Sequence, residues 1–477
     1  MKSTPYSNKT PWAIPLVLLS ILTFVGCSAV GPDYSSPNPP IPETWNQDPA
    51  RVPSGEGVIQ WWRLFEDPLL DELIETASRN NHDLKTAMAR VDEVGARLGI
   101  AQSRELPQLD LESRVNRQFN SENTMDKGSV ETRHEFGLNA GWEVDLFGRV
   151  RRSVEAARAD FQVSLEDRTD VMIRLYAQVS LSYLRIRTYQ ARLGYARENI
   201  RSQEQLMELT RARYDHGLAT GLDLAQAQRF LARAQAELPP LHIALTREMN
   251  QLALLLGEAP GRVNRLVSQA RPIPNAPTAV VGRVPADLLR QRPDIRRAER
   301  ELAAATARVG IAAAELYPRL TLNGSFGYAA TDIGDWFTAG SRQIHFGPSL
   351  RWNLFSRDKI YQEIKAREAV TRRFFFQYEH TVLAALGEVE THMERHHQDR
   401  VRLARLEKAV AAARRSVTLS TRLYKKGLVD FQPVLDAQRD QFNFEDQLAI
   451  ARGNVAANFV TLYRVMGGGW NPSARNL

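Results

Sequence analysis

The segment EFGLNAGWEV (residues 135–144) decides how this chain is read. Phe136, Leu138, Ala140, Trp142 and Val144 fall on one side of an extended chain, and Glu135, Gly137, Asn139, Gly141 and Glu143 on the other. Successive side chains of a strand point to opposite faces, so the alternation specifies a strand with one apolar and one polar face. Three more segments share it. In 108–119, Leu109, Leu111, Val115 and Phe119 oppose Asp110, Glu112, Arg114, Asn116 and Gln118. In 319–328, Leu320, Leu322, Phe326 and Tyr328 oppose Arg319, Thr321, Asn323 and Ser325. In 343–352, Ile344, Phe346, Leu350 and Trp352 oppose Gln343, His345, Ser349 and Arg351. Each has roughly the ten-residue length of a tilted membrane strand, with aromatics near its ends. Taken singly, each strand also fits a half-buried sheet in a water-soluble protein. Taken together, the four fit a wall between lipid and water. Four strands do not close a membrane barrel, because lipid tolerates no open edge and single-chain barrels begin at about eight. Several chains must then share one barrel.

The strands are followed by helix. No proline occurs in 150–238 or 356–432, and both stretches are rich in Ala, Arg, Glu, Gln and Leu, which favour helix. Leu175, Val179, Ser182, Ile186, Tyr189, Leu193, Ala196 and Ile200 follow a 4–3 spacing, as do Leu403, Leu406, Val410, Ala413, Val417, Ser420 and Tyr424. That period of about 3.5 residues is the seam of a left-handed coiled packing. A single helix over 149–214 would be about 100 Å long; a break near Gly194 is the alternative.

The chain also repeats itself. Ala96-Arg97, Gly99-Ile100 and Pro107 recur as Ala307-Arg308, Gly310-Ile311 and Pro318. Leu146-Phe147 recurs as Leu354-Phe355, and Tyr214, Gly217-Leu218 and Ala227-Gln228-Arg229 as Tyr424, Gly427-Leu428 and Ala437-Gln438-Arg439. The expected fold is mainly α with a small β membrane part, built from a duplicated helix–strand–strand–long helix–helix unit. Residues 67–257 hold the first copy (strands 108–119 and 135–144, long helix 149–214). Residues 287–466 hold the second (strands 319–328 and 343–352, long helix 357–424). A proline-rich linker, 258–286, joins them, and 467–477 form a tail.

Composition bounds the rest. The 477 residues are 43% hydrophobic and 25% charged, with a mean hydropathy of −0.37. Only one stretch, near the N-terminus, approaches the roughly 20 apolar residues of a membrane helix, which excludes a polytopic helical protein. The formal charge of +7 is mild for this length, and the arginines are spread among acids, so nucleic-acid binding is not expected. Lys2 and Lys9, an apolar run from Ala13 to Val25, and Gly26-Cys27 read as a secretory signal over 1–26. The single cysteine, Cys27, stands where a bacterial lipobox places its lipidated residue, although Phe24 replaces the usual Leu. The lipidated segment would then run over 27–66.

Read together, these residues resemble the TolC-like outer-membrane efflux channels, in their lipid-anchored branch serving resistance-nodulation-division pumps. The resemblance covers nearly the whole chain. It runs from Gly31-Pro32-Asp33-Tyr34 through Trp61-Trp62, Phe65 and Asp67-Pro68-Leu69 to Arg292-Pro293-Asp294-Ile295 and Tyr317-Pro318. It implies a homotrimer whose twelve strands form an outer-membrane barrel, continued by a long periplasmic α-helical barrel. It also implies two partners, a periplasmic membrane-fusion adaptor and an inner-membrane resistance-nodulation-division transporter. The implied location is the outer membrane of a Gram-negative bacterium, reaching into the periplasm.

The resemblance points to the helix-turn-helix tips, 214–223 and 424–436. Adaptor contact is expected at Gly217, Leu218, Ala219, Thr220, Gly427, Leu428 and Val429. A periplasmic gate is expected from Tyr424, Asp430, Gln432, Asp436 and Arg439, because inward carboxylates would form rings of three in a trimer. The blander reading is solvated turn residues with exposed ion pairs, worth about 0–1 kcal/mol. His392, His396 and His397 read as a solvated helix face rather than a metal site, and Trp61-Trp62 as packing. No Walker loop, dinucleotide fingerprint or zincin helix is present, so no enzyme, cofactor or metal is expected. A periplasmic coiled-coil adaptor is the competing reading from another class. An adaptor should show one helical hairpin flanked by β domains, not two hairpins with strands between helices.

Overall fold

The computed structural model describes residues 29–39, 41–42, 45, 60–123, 128–277 and 291–468. Cys27, the signal 1–26, part of the linker and the end of the tail lie outside the described residues. The chain forms two compact units, one of residues 1–37, 92–163 and 298–378, the other of 38–91, 164–297 and 379–477.

The first unit contains the sheet. Helix α1 (Pro68–Asn80) precedes α2 (His82–Ser103), which leads into β1 (Gln108–Phe119) and β2 (Val130–Val144). In the second copy α7 (Pro293–Ala314) leads into β3 (Arg319–Ala330) and β4 (Arg342–Arg351). The four strands form an antiparallel meander in the order β1-β2-β3-β4, so the two hairpins, one from each copy, meet at β2 and β3. The register pairs Leu111 with Leu138, Leu138 with Phe326, and Phe326 with Ile344. It therefore gathers the apolar residues of all four strands on one face. That face is uncovered: Leu109 is 66% exposed, Phe119 69%, Ile344 75% and Phe346 77%. The polar face binds itself, with Arg114 paired to Glu112 and Asn139 donating to Glu112. Strand β2 starts five residues before the alternation does. Thr132 and His134 spoil the apolar row, yet ladder pairing to β1 continues as far as Phe119 opposite Val130. The tryptophans repeat a contact: Trp142 Nε1 donates to the Glu105 carbonyl and Trp352 Nε1 to the Leu316 carbonyl, both at 3.0 Å.

After β2, Asp145 accepts from the Val150 and Arg151 amides and so starts helix α3 (Arg149–Asp215). This helix runs unbroken through Gly194. Helix α8 (Arg357–Lys425) is its counterpart in the second copy. In the first unit α7 packs on α3 through Ala303, Ala304 and Ala159, and Arg308 pairs with Asp160 at 2.5 Å. The Gly31-Pro32-Asp33-Tyr34 segment is seated against both helices. The Arg152 side chain is only 4% exposed. Its Nη2 donates to Asp33 at 2.6 Å and Nε to the Val30 carbonyl at 3.2 Å. Gly31 is required there, since a Cβ on it would stand 2.5 Å from the Gly310 Cα. Tyr34 donates to Glu299 at 3.1 Å. Burial and the neighbouring Glu299 push its hydroxyl up to about 12.

The second unit holds the largest core. Trp61 and Trp62 are buried; they pack on Tyr463 and Tyr176, and Phe65 packs on Phe459. The proline-rich linker is not a loose connection. Part of it is helix α6 (Pro260–Val267), whose Val263 and Val267 are fully buried. The expected solvated face fails at His396, which is buried with neither imidazole nitrogen partnered. Burial holds that imidazole down at about 4, and Arg400 and His397 push it the same way. Among the described residues, no helix is long and apolar enough to cross a membrane.

Candidate functional site: the two helical tips

Both tips belong to the second unit, and both turn in the same way. Helix α3 ends with Gly217 N–H bonded to the Tyr214 carbonyl at 2.9 Å and Leu218 N–H to the Arg213 carbonyl at 2.7 Å. Helix α8 ends with Gly427 bonded to Tyr424 at 2.9 Å and Leu428 to Leu423 at 3.0 Å. Gly217 and Gly427 share φ +72, a left-handed conformation that closes the last turn and favours glycine.

The helices that follow start differently. Helix α4 (Gly221–Ala236) opens on a complete capping box: Thr220 Oγ1 accepts from the Asp223 amide, and the Asp223 carboxylate accepts from the Thr220 amide. It is followed by α5 (Leu238–Leu255). Helix α9 (Gln432–Val465) opens on Phe431 with no side-chain cap and Pro433 in its first turn.

Tyr424 lies inside the tip, not on its surface. It is 4% exposed, in a cluster with Leu206, Ala227, Phe431, Val434 and Leu435, and its hydroxyl has no partner. Phe431 lies 5.4 Å from it, ring to ring. The Arg213 guanidinium lies over the same ring, 4.7 Å from its centroid. Arg213 also donates to the Tyr424 carbonyl and to the Leu218 carbonyl, each at 3.3 Å. One arginine thus bridges the two tips.

Asp430 is exposed, with no ion pair among the described residues. Gln432 donates to both Asp436 oxygens at 3.2 Å, and Arg439 pairs with Asp436 at 3.3 Å. These three residues line up along α9 at helical spacing, so within one chain the Asp–Arg pair runs along a helix, not across helices. Leu218, Leu222 and Leu428 are each about two-thirds exposed. Gly217, Ala219, Thr220, Gly427 and Val429 complete the turns around them.

Arg213 and Phe431 were missed by sequence reasoning. The repeat register carries the signal for Arg213: its counterpart beside Tyr424 is Leu423, so the arginine appears in one copy only.

The family described as "Outer membrane efflux protein" matches residues 73–258 and 284–468. The chain belongs to that family. It is 28% identical over 455 residues to Nodulation protein T of Rhizobium leguminosarum bv. trifolii, covering 95% of this chain and 97% of that protein. It is 30% identical over 459 residues to the toluene efflux pump outer membrane protein TtgF of Pseudomonas putida, covering 94% and 95%. Among solved structures it is similar to the outer-membrane channel OprN, with a TM-score of 0.87 and 30% identity over 93% of this chain and all of that one. The Campylobacter jejuni CmeC outer membrane channel shares the fold, with a TM-score of 0.85. The β part is therefore the membrane part of an outer-membrane efflux channel, and the helices are its periplasmic part. This is a family of channels, not of enzymes.

Proposed function

We propose that three copies of this chain close a twelve-stranded barrel and act as a passive exit duct for small toxic molecules and drugs. The observation that carries this is the open sheet: β1 and β4 are bare edges, and the apolar face is exposed. A neighbouring copy's β1 beside β4 satisfies both edges. The flanking helices support the same seams within the first unit. Ile100, close to edge strand β1, and Tyr361 and Phe376, beyond edge strand β4, are exposed. Helix α7, leading into inner strand β3, buries Leu302, Ala304, Ala307 and Val309.

In this reading Cys27 is acylated and anchors the N-terminus in the membrane. The exposed leucines at the tips meet a periplasmic adaptor that is coupled to an inner-membrane transporter. Tyr424, Asp430, Gln432, Asp436 and Arg439 set how far the tips open. The chain itself supplies neither energy nor catalysis. The test is the purified full chain. A heat-modifiable trimer that conducts ions in planar bilayers is expected. A monomer, or a trimer that never conducts even when Arg213→Ala loosens its tips, would overturn the duct. Labelled lipid should enter the wild type and be lost in Cys27→Ser.

A further inference from the structure

The register sorts the arginines of the sheet by face. Arg114 and Arg133 lie on the polar face, each paired with a carboxylate of that face, Glu112 and Glu135. Arg117 and Arg342 lie on the other face. Arg117 stands opposite Thr132 and Arg342 opposite Tyr328, in the rows that hold Leu111, Leu138, Phe326 and Ile344. Both are exposed, and among the described residues neither forms an ion pair. Arg342 donates one hydrogen bond, to the Ala339 carbonyl at 3.3 Å.

Both arginines sit at the hairpin end of their strands, away from the helices. The β3–β4 loop folds back beside that end, onto the same face. Trp336 and Phe337 stack at 5.0 Å, Trp336 lies 5.3 Å from His134, and Phe337 lies 5.6 Å from both Phe136 and Tyr328. The Trp336 indole N–H is buried without a partner. A guanidinium facing lipid is costly at the bilayer centre and tolerated at headgroup depth. Indole rings also concentrate at that depth. Two cations outside the apolar band, unpaired where their polar-face counterparts are paired, complement an anion carried by the lipid itself.

We propose that Arg117 and Arg342 bind the phosphate groups of an anionic lipid in the outer leaflet. This rests on the trimer reading: when β4 pairs with the neighbouring copy's β1, Arg342 and the partner's Arg117 meet at one seam, giving three sites per trimer. Two planar guanidinium forks match phosphate oxygens, and Phe119, Trp336 and Phe337 line the acyl–headgroup boundary. A phosphate bound there ties one protomer to the next.

The test is native mass spectrometry of detergent-purified trimers titrated with bis-phosphorylated lipid A, its dephosphorylated form, and inorganic phosphate, with conductance recorded on the same preparation. Up to three lipid A molecules per trimer are expected. Dephosphorylation and the R117Q/R342Q double variant should each weaken binding about tenfold or more, while inorganic phosphate should not compete. R117K/R342K, which keeps the charge but loses the fork, should fall between the wild type and R117Q/R342Q, and R114Q/R133Q, on the polar face, should retain all of the binding. If R117Q/R342Q does not assemble, the wild type's preference for phosphorylated lipid A and the R117K/R342K result decide. Conducting trimers that bind both lipid A forms equally, or R117Q/R342Q trimers that bind like wild type, would overturn the lipid site alone. Absence of trimer and conductance in the wild type would overturn the duct, and the lipid site with it.

Discussion

Arg213→Ala should open the periplasmic end of the duct. The arginine makes three contacts from the first tip: its guanidinium over the Tyr424 ring at 4.7 Å, and bonds to the Tyr424 and Leu218 carbonyls at 3.3 Å. The ring contact contributes about 1 kcal/mol, and two long bonds from a cation contribute about 0.5–1 kcal/mol each. Only the Tyr424 ring and carbonyl belong to the other tip, so a tip that separates loses about 1.5–2 kcal/mol of closure and the open population rises about 10- to 30-fold. Conductance of reconstituted trimers reads this directly, and uptake of a large antibiotic that intact outer membranes exclude reads it in cells. Arg213→Lys, which keeps the charge but loses the planar fork, should fall between. Tyr424→Leu should have a smaller effect than Arg213→Ala on the bridge itself, since it removes the face the cation covers and leaves both backbone carbonyls in place. By contrast Arg439→Ala breaks a half-exposed pair with Asp436 at 3.3 Å, worth about 0–1 kcal/mol, and should change conductance several-fold at most. An Arg213→Ala trimer that keeps its melting temperature and conducts within about twofold of wild type would refute the bridge, because no smaller loss is compatible with these contacts.

Three other outcomes follow from the geometry. Arg152→Ala removes the bonds to Asp33 and the Val30 carbonyl; because Asp33 is itself solvent-exposed, the change should cost about 1–2 kcal/mol, read as a lower melting temperature and faster proteolysis near residue 33. His396 has a folded value of about 4 against an ordinary 6.5, so the unfolded chain binds more protons between those values. Stability from this residue is complete above about pH 6.5 and is lost as pH falls toward 4, by about 3 kcal/mol at most; His396→Leu should flatten melting temperature against pH in that window. Gly327→Val places a Cβ 2.5 Å from the Phe136 carbonyl oxygen and 2.7 Å from the Gly137 Cα, and should abolish the heat-modifiable trimer, whereas Gly141→Val, on inner strand β2 with its nearest neighbour the Asn323 Oδ1 at 3.9 Å, should preserve it.

Regular elements were legible because each has a period that burial imposes. The alternation at 135–144 reappears as one apolar face only because the register carries Leu138 to Phe326 and on to Ile344. The 4–3 seam of α3 is buried at Leu175, Val179, Ile186, Leu193 and Ala196. What has no period was not legible. Helix α6 hid in a proline-rich stretch, because a proline in the first turn starts a helix as readily as proline breaks one elsewhere. His396 looked solvated because its neighbours Arg395, His397 and Arg400 are polar. The motif Gly31-Pro32-Asp33-Tyr34 was legible as a resemblance but not as chemistry, since its reason is Arg152, 119 residues away from Asp33 in sequence.

The tips show where duplication informs and where it misleads. Two copies predict two equivalent turns, and the backbone obeys: the same glycine conformation, with the same pair of bonds closing each helix. The side chains do not. The first tip has its own cap in Thr220 and Asp223, so its helix start needs nothing from the second. The second begins on an uncapped Phe431, and its central ring, Tyr424, is covered by an arginine of the first. The packing is shared, since Leu206 and Ala227 of the first hairpin are buried with Tyr424, Phe431, Val434 and Leu435, but the arginine contact runs one way. A gate residue is therefore better sought where the copies diverge, at Arg213 against Leu423, than where they agree. Agreement between copies records what any such turn requires, and divergence records what this end of the duct requires in addition.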